Sequence, residues 1–143
     1  METKLPTYKL EDIIKKVEEL KKNGAIDLSM EEDLSIAVMN LISLEEHLFF
    51  TGEKTGNTEY FDFISQVREI RKEMLAKLID RHLGETWCIG KHLLAASMRL
   101  MEVGTKLQGD NKKTEAKEMF DRAYQLYSLF WAVRLKLVDT NKF

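Results

Sequence analysis

Ser29 to Leu48, SMEEDLSIAVMNLISLEEHL, is the stretch whose reading decides the fold class. Leu34, Ala37, Val38, Leu41, Leu44 and Leu48 recur at three- and four-residue intervals, the spacing of one face of an α-helix. Ser29, with Glu32 three residues on, has the form of a capping box that starts this helix. The stripe predicts a helix from Ser29 to a stop near Thr51-Gly52. One charge interrupts it, because Glu45 falls between Leu41 and Leu48.

The same periodicity extends in both directions. Upstream, Leu10, Ile13, Ile14, Val17 and Leu20 predict a helix from about Thr7 to Asn23, with Asn23-Gly24 as its stop. Downstream, Asn57 or Thr58 caps a third helix. Its stripe of Tyr60, Phe63, Ile64, Val67, Ile70, Met74, Leu75 and Leu78 runs toward Gly84. A fourth helix is expected from about Thr86 to Leu107, and a fifth from about Asn111 to Val138 after a Gly109-Asp110 turn. No alternating strand pattern competes. Short connections make consecutive helices antiparallel neighbours. The expectation is an all-α bundle of four long antiparallel helices plus an N-terminal helix, a single domain spanning residues 1–143.

Composition bounds function without naming it. A chain of 143 residues can bury a core without staples, and a formal net charge of -2 lacks the basic excess of a general nucleic-acid binder. Lys91, His92, Arg99 and Lys106 form a modest basic edge, interrupted by Glu102, and read as a solvated face. Cys88 is the only cysteine, so no intramolecular disulfide can form and a reducing compartment is the natural expectation. Glu2, Glu11 and Asp12 stand among the N-terminal lysines, where a signal peptide would need an apolar run. The uncharged stretch Ala123 to Val133 is too short to cross a bilayer. A soluble cytoplasmic protein is expected, with no membrane or nucleic-acid partner.

Three charges stand out because each lies in the middle of an apolar stripe. Glu45 lies between Leu41 and Leu48, Arg71 between Val67 and Leu78, and Arg134 in line with Ala116, Ala123 and Tyr127. Isolated buried charge costs several kcal/mol, so these groups must pair or line a wet cavity. With Tyr127 and His82 near the centres of their own stripes, the set suggests a polar interior able to bind an anion. A structural salt-bridge network is the simpler account. A hairpin turning through Gly52 to Asn57 places Glu45 opposite Ile64, two helical turns from Arg71, so Arg68 is the nearer cation on that register.

Gly90, Ser97 and Gly104 repeat every seven residues along the fourth helix. Glycine inside a helix costs about 1 kcal/mol relative to alanine, so a close-packed neighbour is expected there. Ala116 and Ala123 offer a matching line in the fifth helix, and a second copy of the chain is the alternative neighbour. Glu85, Cys88 and His92 share a spacing that can hold a metal, but one Cys and one His make a weak ligand set, and no metal or cofactor is expected. Phe120, Tyr124, Tyr127, Phe130 and Trp131 concentrate on the fifth helix, as core or as a partner interface. Phe50 falls on the polar side of the second helix with Met39, beside an inward-facing Phe49.

Gly109-Asp110 followed by Ala116, Phe120, Ala123 and Leu126 resembles the second half of a tetratricopeptide repeat. It covers about twenty residues, has two extra residues in the turn, and carries Thr105 at the expected aromatic position. A lone repeat cannot bury its own face, so the resemblance implies a packing solution and no inherited function. The paired Glu-x-x-His turns of di-iron bundles are missing, since Leu44, Ile79 and Ile89 precede His47, His82 and His92 by three. With no catalytic signature present, the expectation is a non-enzymatic helical interaction module, self-associating or binding one protein partner. The alternative is an anionic-ligand site inside the bundle.

Overall fold

The computed structural model describes residues 9–24 and 28–138. It is 83% helical, with five helices and no strands among the described residues: α1 (Leu10–Lys22), α2 (Ser29–Thr55), α3 (Glu59–Ala76), α4 (Glu85–Gly109) and α5 (Lys113–Arg134). The chain is an all-α helical bundle. Two hairpins, α2 with α3 and α4 with α5, carry the most extensive contacts; α2 joins them by packing on α4, and α1 packs on α5.

Several helix ends differ from the sequence expectation, and the differences have local causes. The second helix continues through Gly52 and ends at Thr55, where Gly56 takes the left-handed conformation (φ 70°) and donates its N–H to the Gly52 carbonyl. Gly52 is retained inside the helix because an added Cβ would lie 2.4 Å from a ring carbon of Phe61. Leu28 occupies the N-cap, so Ser29 is already the first helical residue and the capping box is not formed. The Glu32 carboxylate reaches back to Lys21 of α1 instead.

The third helix stops at Ala76, eight residues short of Gly84, and residues 77–84 form turns. Leu78 and Ile79 in that segment are still buried in the core. The fourth helix closes in a Schellman arrangement. Asn111 is left-handed (φ 60°), its N–H reaches the Gln108 carbonyl and that of Lys112 reaches Leu107. The fifth ends the same way at Arg134, four residues before Val138. Lys136 is left-handed (φ 59°), with its N–H on Val133 and that of Leu137 on Ala132. The start predicted at Thr7 lies outside the described residues.

The interior is built on Val38, Leu75, Leu94, Phe130 and Trp131, all fully enclosed. Phe130 and Trp131 meet edge to face at 5.2 Å between centroids, and Tyr127 meets Trp131 similarly at 5.9 Å. Each such pair adds about 0.5–1.5 kcal/mol beyond area burial. Met39, expected on the polar side of α2, is buried in this core, whereas Phe49, expected inward, is half exposed against Phe50. The cause is that α2 has neighbours on two sides, α3 and α4, where a single stripe anticipates one.

Candidate functional site

Glu45 and Arg71 form a bidentate pair between α2 and α3, with Arg71 Nε donating to Oε2 at 2.9 Å and Nη2 donating to Oε1 at 3.0 Å. The side chains are 14% and 7% exposed, respectively. This corrects the register drawn from sequence: shortening the turn from Gly52–Asn57 to Gly56–Thr58 slides α3 along α2 until Arg71 reaches Glu45. Arg68 is exposed and is not the partner.

The other members of the expected polar interior lie elsewhere. Tyr127 shares a 2.7 Å hydrogen bond with the fully buried Ser35, whose hydroxyl also donates to the Glu32 carbonyl. With its proton committed to Glu32, Ser35 is the acceptor from Tyr127. His82 is exposed in the turn after α3, off any helix, and its backbone N–H is held by Asp80. Arg134 joins His82, Lys77, Arg81 and Asp80 around a shallow cavity of about 380 Å³. Its Nε is buried without a hydrogen-bond partner, as is Trp131 Nε1. The five residues therefore do not form one cluster. Glu45 with Arg71, Tyr127 with Ser35, and Arg134 with His82 are three separate features.

The small-residue line on α4 is covered from within the chain. Gly90 faces the Ile79 side chain and Phe130, Gly104 faces the Phe120 ring, and Ser97 is buried with its hydroxyl on the Leu93 carbonyl. Ala116 and Ala123 are buried on α5, the helix that packs closest along α4. A second copy therefore has no access to this line. Glu85, Cys88 and His92 are exposed, and among the described residues no three His, Cys, Asp or Glu side chains gather as a metal site. On the basic edge, Arg99 is engaged by both Glu46 and Glu102.

What the sequence reading missed is an open apolar face on the α2/α3 hairpin. Glu45 and Gly52 mark the line along which α2 meets α3, while Ser35, Val38 and Met39 turn toward the core. On the other side of the α3-facing line runs a second stripe, Leu34, Ala37, Leu41, Leu44 and Leu48, spaced 3-4-3-4. The third helix carries its counterpart, Tyr60, Phe63, Val67, Ile70 and Met74, at the same spacing and turned in the same sense from Arg71. In an antiparallel pair, equal rotation from the shared seam places both stripes on one face.

Leu34 and Met74, the terminal members of their stripes, touch the core. Of the other members, Leu44 is 42% exposed, Phe63 52% and Ile70 51%, and Ala37 is exposed as well. Each stripe is about 21 Å long by helical rise; on the level set by Glu45 and Arg71 they are offset by about one heptad, Leu41–Leu48 lying beside Val67–Met74, and together they outline roughly 400 Å². That is within the range of the largest apolar patches on monomeric proteins, which are often functional. The signal was in the sequence: α2 and α3 are apolar over more than the arc one neighbour can cover. Indeed α2 is long and apolar enough, by length and composition, to cross a membrane.

Comparison with protein-family models, with curated proteins and with solved structures finds no match to this chain.

Proposed function

We propose that the protein is a non-enzymatic helical interaction module whose contact surface is the outer face of the α2/α3 hairpin. The observation that carries this reading is the pair of matched 3-4-3-4 apolar stripes on one side of the hairpin, with Leu44, Phe63 and Ile70 half exposed. Such stripes suit a partner that presents apolar helices of its own, because knobs-into-holes packing needs this period on both sides. The inward charges fit a supporting role. Glu45 and Arg71 satisfy each other, hold the two helices in register, and keep both stripes on the same side.

Native mass spectrometry on the purified chain, repeated on Phe63→Lys, tests the reading. The module predicts that assembly of the chain, with itself or with a protein that co-purifies with it, is abolished by Phe63→Lys while circular dichroism stays helical. An assembly indifferent to Phe63→Lys would overturn it.

One observation favours a second reading, a small-anion site at the end of the bundle. Among the described residues Arg134 makes no ion pair, and it shares its cavity with Lys77, Arg81 and His82 and the carboxylate of Asp80. Calorimetry with inorganic phosphate on the wild type and on Arg134→Met tests it. Heat that is lost in the variant supports the site, and no heat from the wild type removes it.

A further inference from the structure

We infer that the occupant of the hairpin face is a second copy of this chain, related by a two-fold axis running parallel to α2 and α3, so that α2 of each copy lies on α3 of the other. The inference rests on the interaction-module reading and names its partner.

The argument is self-complementarity, which an isologous contact requires because the same patch must serve both sides. Beside its apolar stripe, on the flank that borders α4, α2 carries exposed Asn40, His47 and Lys54 in successive heptads; the outer edge of α3 carries Glu59, Gln66 and Glu73. Lys54, Glu59 and Glu73 make no ion pair among the described residues. Within one hairpin, Glu45 lies level with Arg71 and Gly52 with Phe61. A two-fold parallel to the helices preserves those levels while exchanging α2 for α3. It therefore sets Lys54 beside Glu59 of the second copy and Asn40 beside its Glu73. The same operation seats Leu41 on Met74, Leu44 on Ile70 and Leu48 on Val67 across the interface.

The competing two-fold, perpendicular to the helices, stacks α3 on α3. It brings Glu59 of one copy to Glu73 of the other, and like charges flanking a seam oppose pairing. The parallel axis also makes every adjacent pair in the resulting four-helix layer antiparallel, the arrangement that bundles with short connections adopt.

The geometry is tested by light scattering and by disulfide trapping in a Cys88→Ser background, which removes the native thiol. At about 100 µM, well above a micromolar Kd, the wild type is expected to have the mass of two chains, and Ile70→Lys the mass of one. Under mild oxidation, a mixture of Leu44→Cys and Ile70→Cys chains should give a mixed 44–70 disulfide dimer, and neither variant alone should cross-link comparably. Circular dichroism confirms that each variant is helical.

Failures at different levels are distinguishable. A wild type that stays monomeric overturns the second copy as occupant. If it also floats with phosphatidylcholine vesicles, and Ile70→Lys does not, the face binds a membrane surface instead. A dimer in which Leu44→Cys alone cross-links efficiently overturns the axis. A dimer unaffected by Ile70→Lys overturns the face itself, and with it the interaction-module reading.

Discussion

Breaking the Glu45–Arg71 pair one side at a time is the sharpest stability experiment on this protein. Both side chains are mostly enclosed, at 14% and 7% exposure, and the guanidinium makes two hydrogen bonds to the carboxylate. Arg71→Met leaves a carboxylate in a largely dry seam. Removing one member of a buried pair typically costs about 3–5 kcal/mol; because Glu45 keeps some contact with water, the lower end, about 3 kcal/mol, is expected here. For 143 residues the unfolding entropy near the midpoint is about 0.3 kcal/mol/K, so the melting temperature should fall by about 10 °C. Glu45→Leu alone strands the guanidinium and should cost a similar amount. The double variant Glu45→Leu/Arg71→Met removes both charges and both desolvation penalties, and should recover most of the loss. Thermal and urea unfolding by circular dichroism, closed as a double-mutant cycle, gives the coupling directly. A coupling below about 1 kcal/mol would refute the reasoning, since it would place the pair among exposed ion pairs that contribute little.

Three further outcomes follow from the packing. Gly104→Ala should destabilise more than Gly90→Ala by urea unfolding: the added carbon at 104 meets three atoms of the Phe120 ring, at 2.6, 2.7 and 3.1 Å, whereas at 90 it meets chiefly the terminal Cδ1 of Ile79, which can rotate aside. Equal costs would show that the ring yields as easily as a methyl. Ser97→Leu should cost about 1–3 kcal/mol by overpacking the α4/α5 contact and leave the mass in solution unchanged wherever the chain is folded. A loss of assembly without loss of stability would return the subunit contact to α4. Burial, and then the hydrogen bond and negative charge of Glu18, raise the Tyr124 phenol above its ordinary value. The neutral phenol is thereby favoured in the folded state, so its contribution to stability is complete below pH 10 and is lost as pH rises through the folded value. Tyr124→Phe should remove that alkaline component, read from unfolding midpoints between about pH 9 and pH 11.

The class of fold was legible in the chain because helical period is a local property. Leu34 to Leu48 recur at helical spacing whatever they later touch, and five such segments with turn residues between them leave no plausible alternative to a bundle. The interruption of apolar stripes by Glu45 and Arg71 was equally legible, and so was the need for each to find a partner. Their pairing was not, because it depends on the level of one helix against another. The helix runs on beyond Thr51 to Thr55, allowed by the contact of Gly52 with Phe61, and the residue facing Glu45 moves from Ile64 to Arg71, about two turns.

Position in the bundle was likewise beyond local reading. Arg134 shows helical spacing to Tyr127, but the helix stops at Arg134 itself and the side chain lines a cavity with the turn after α3, while Glu45 is taken by Arg71. His82 lost its place on a stripe when α3 ended at Ala76. The open face of α2 and α3 is the clearest instance. Period alone assigns Phe63, Ile70 and Leu44 to an interior, and only the placement of α4 and α5 on the opposite side of the hairpin leaves them at the surface. Sequence determines which residues seek burial, through their spacing along each helix; tertiary structure decides which of them receive it, because burial is a relation between helices.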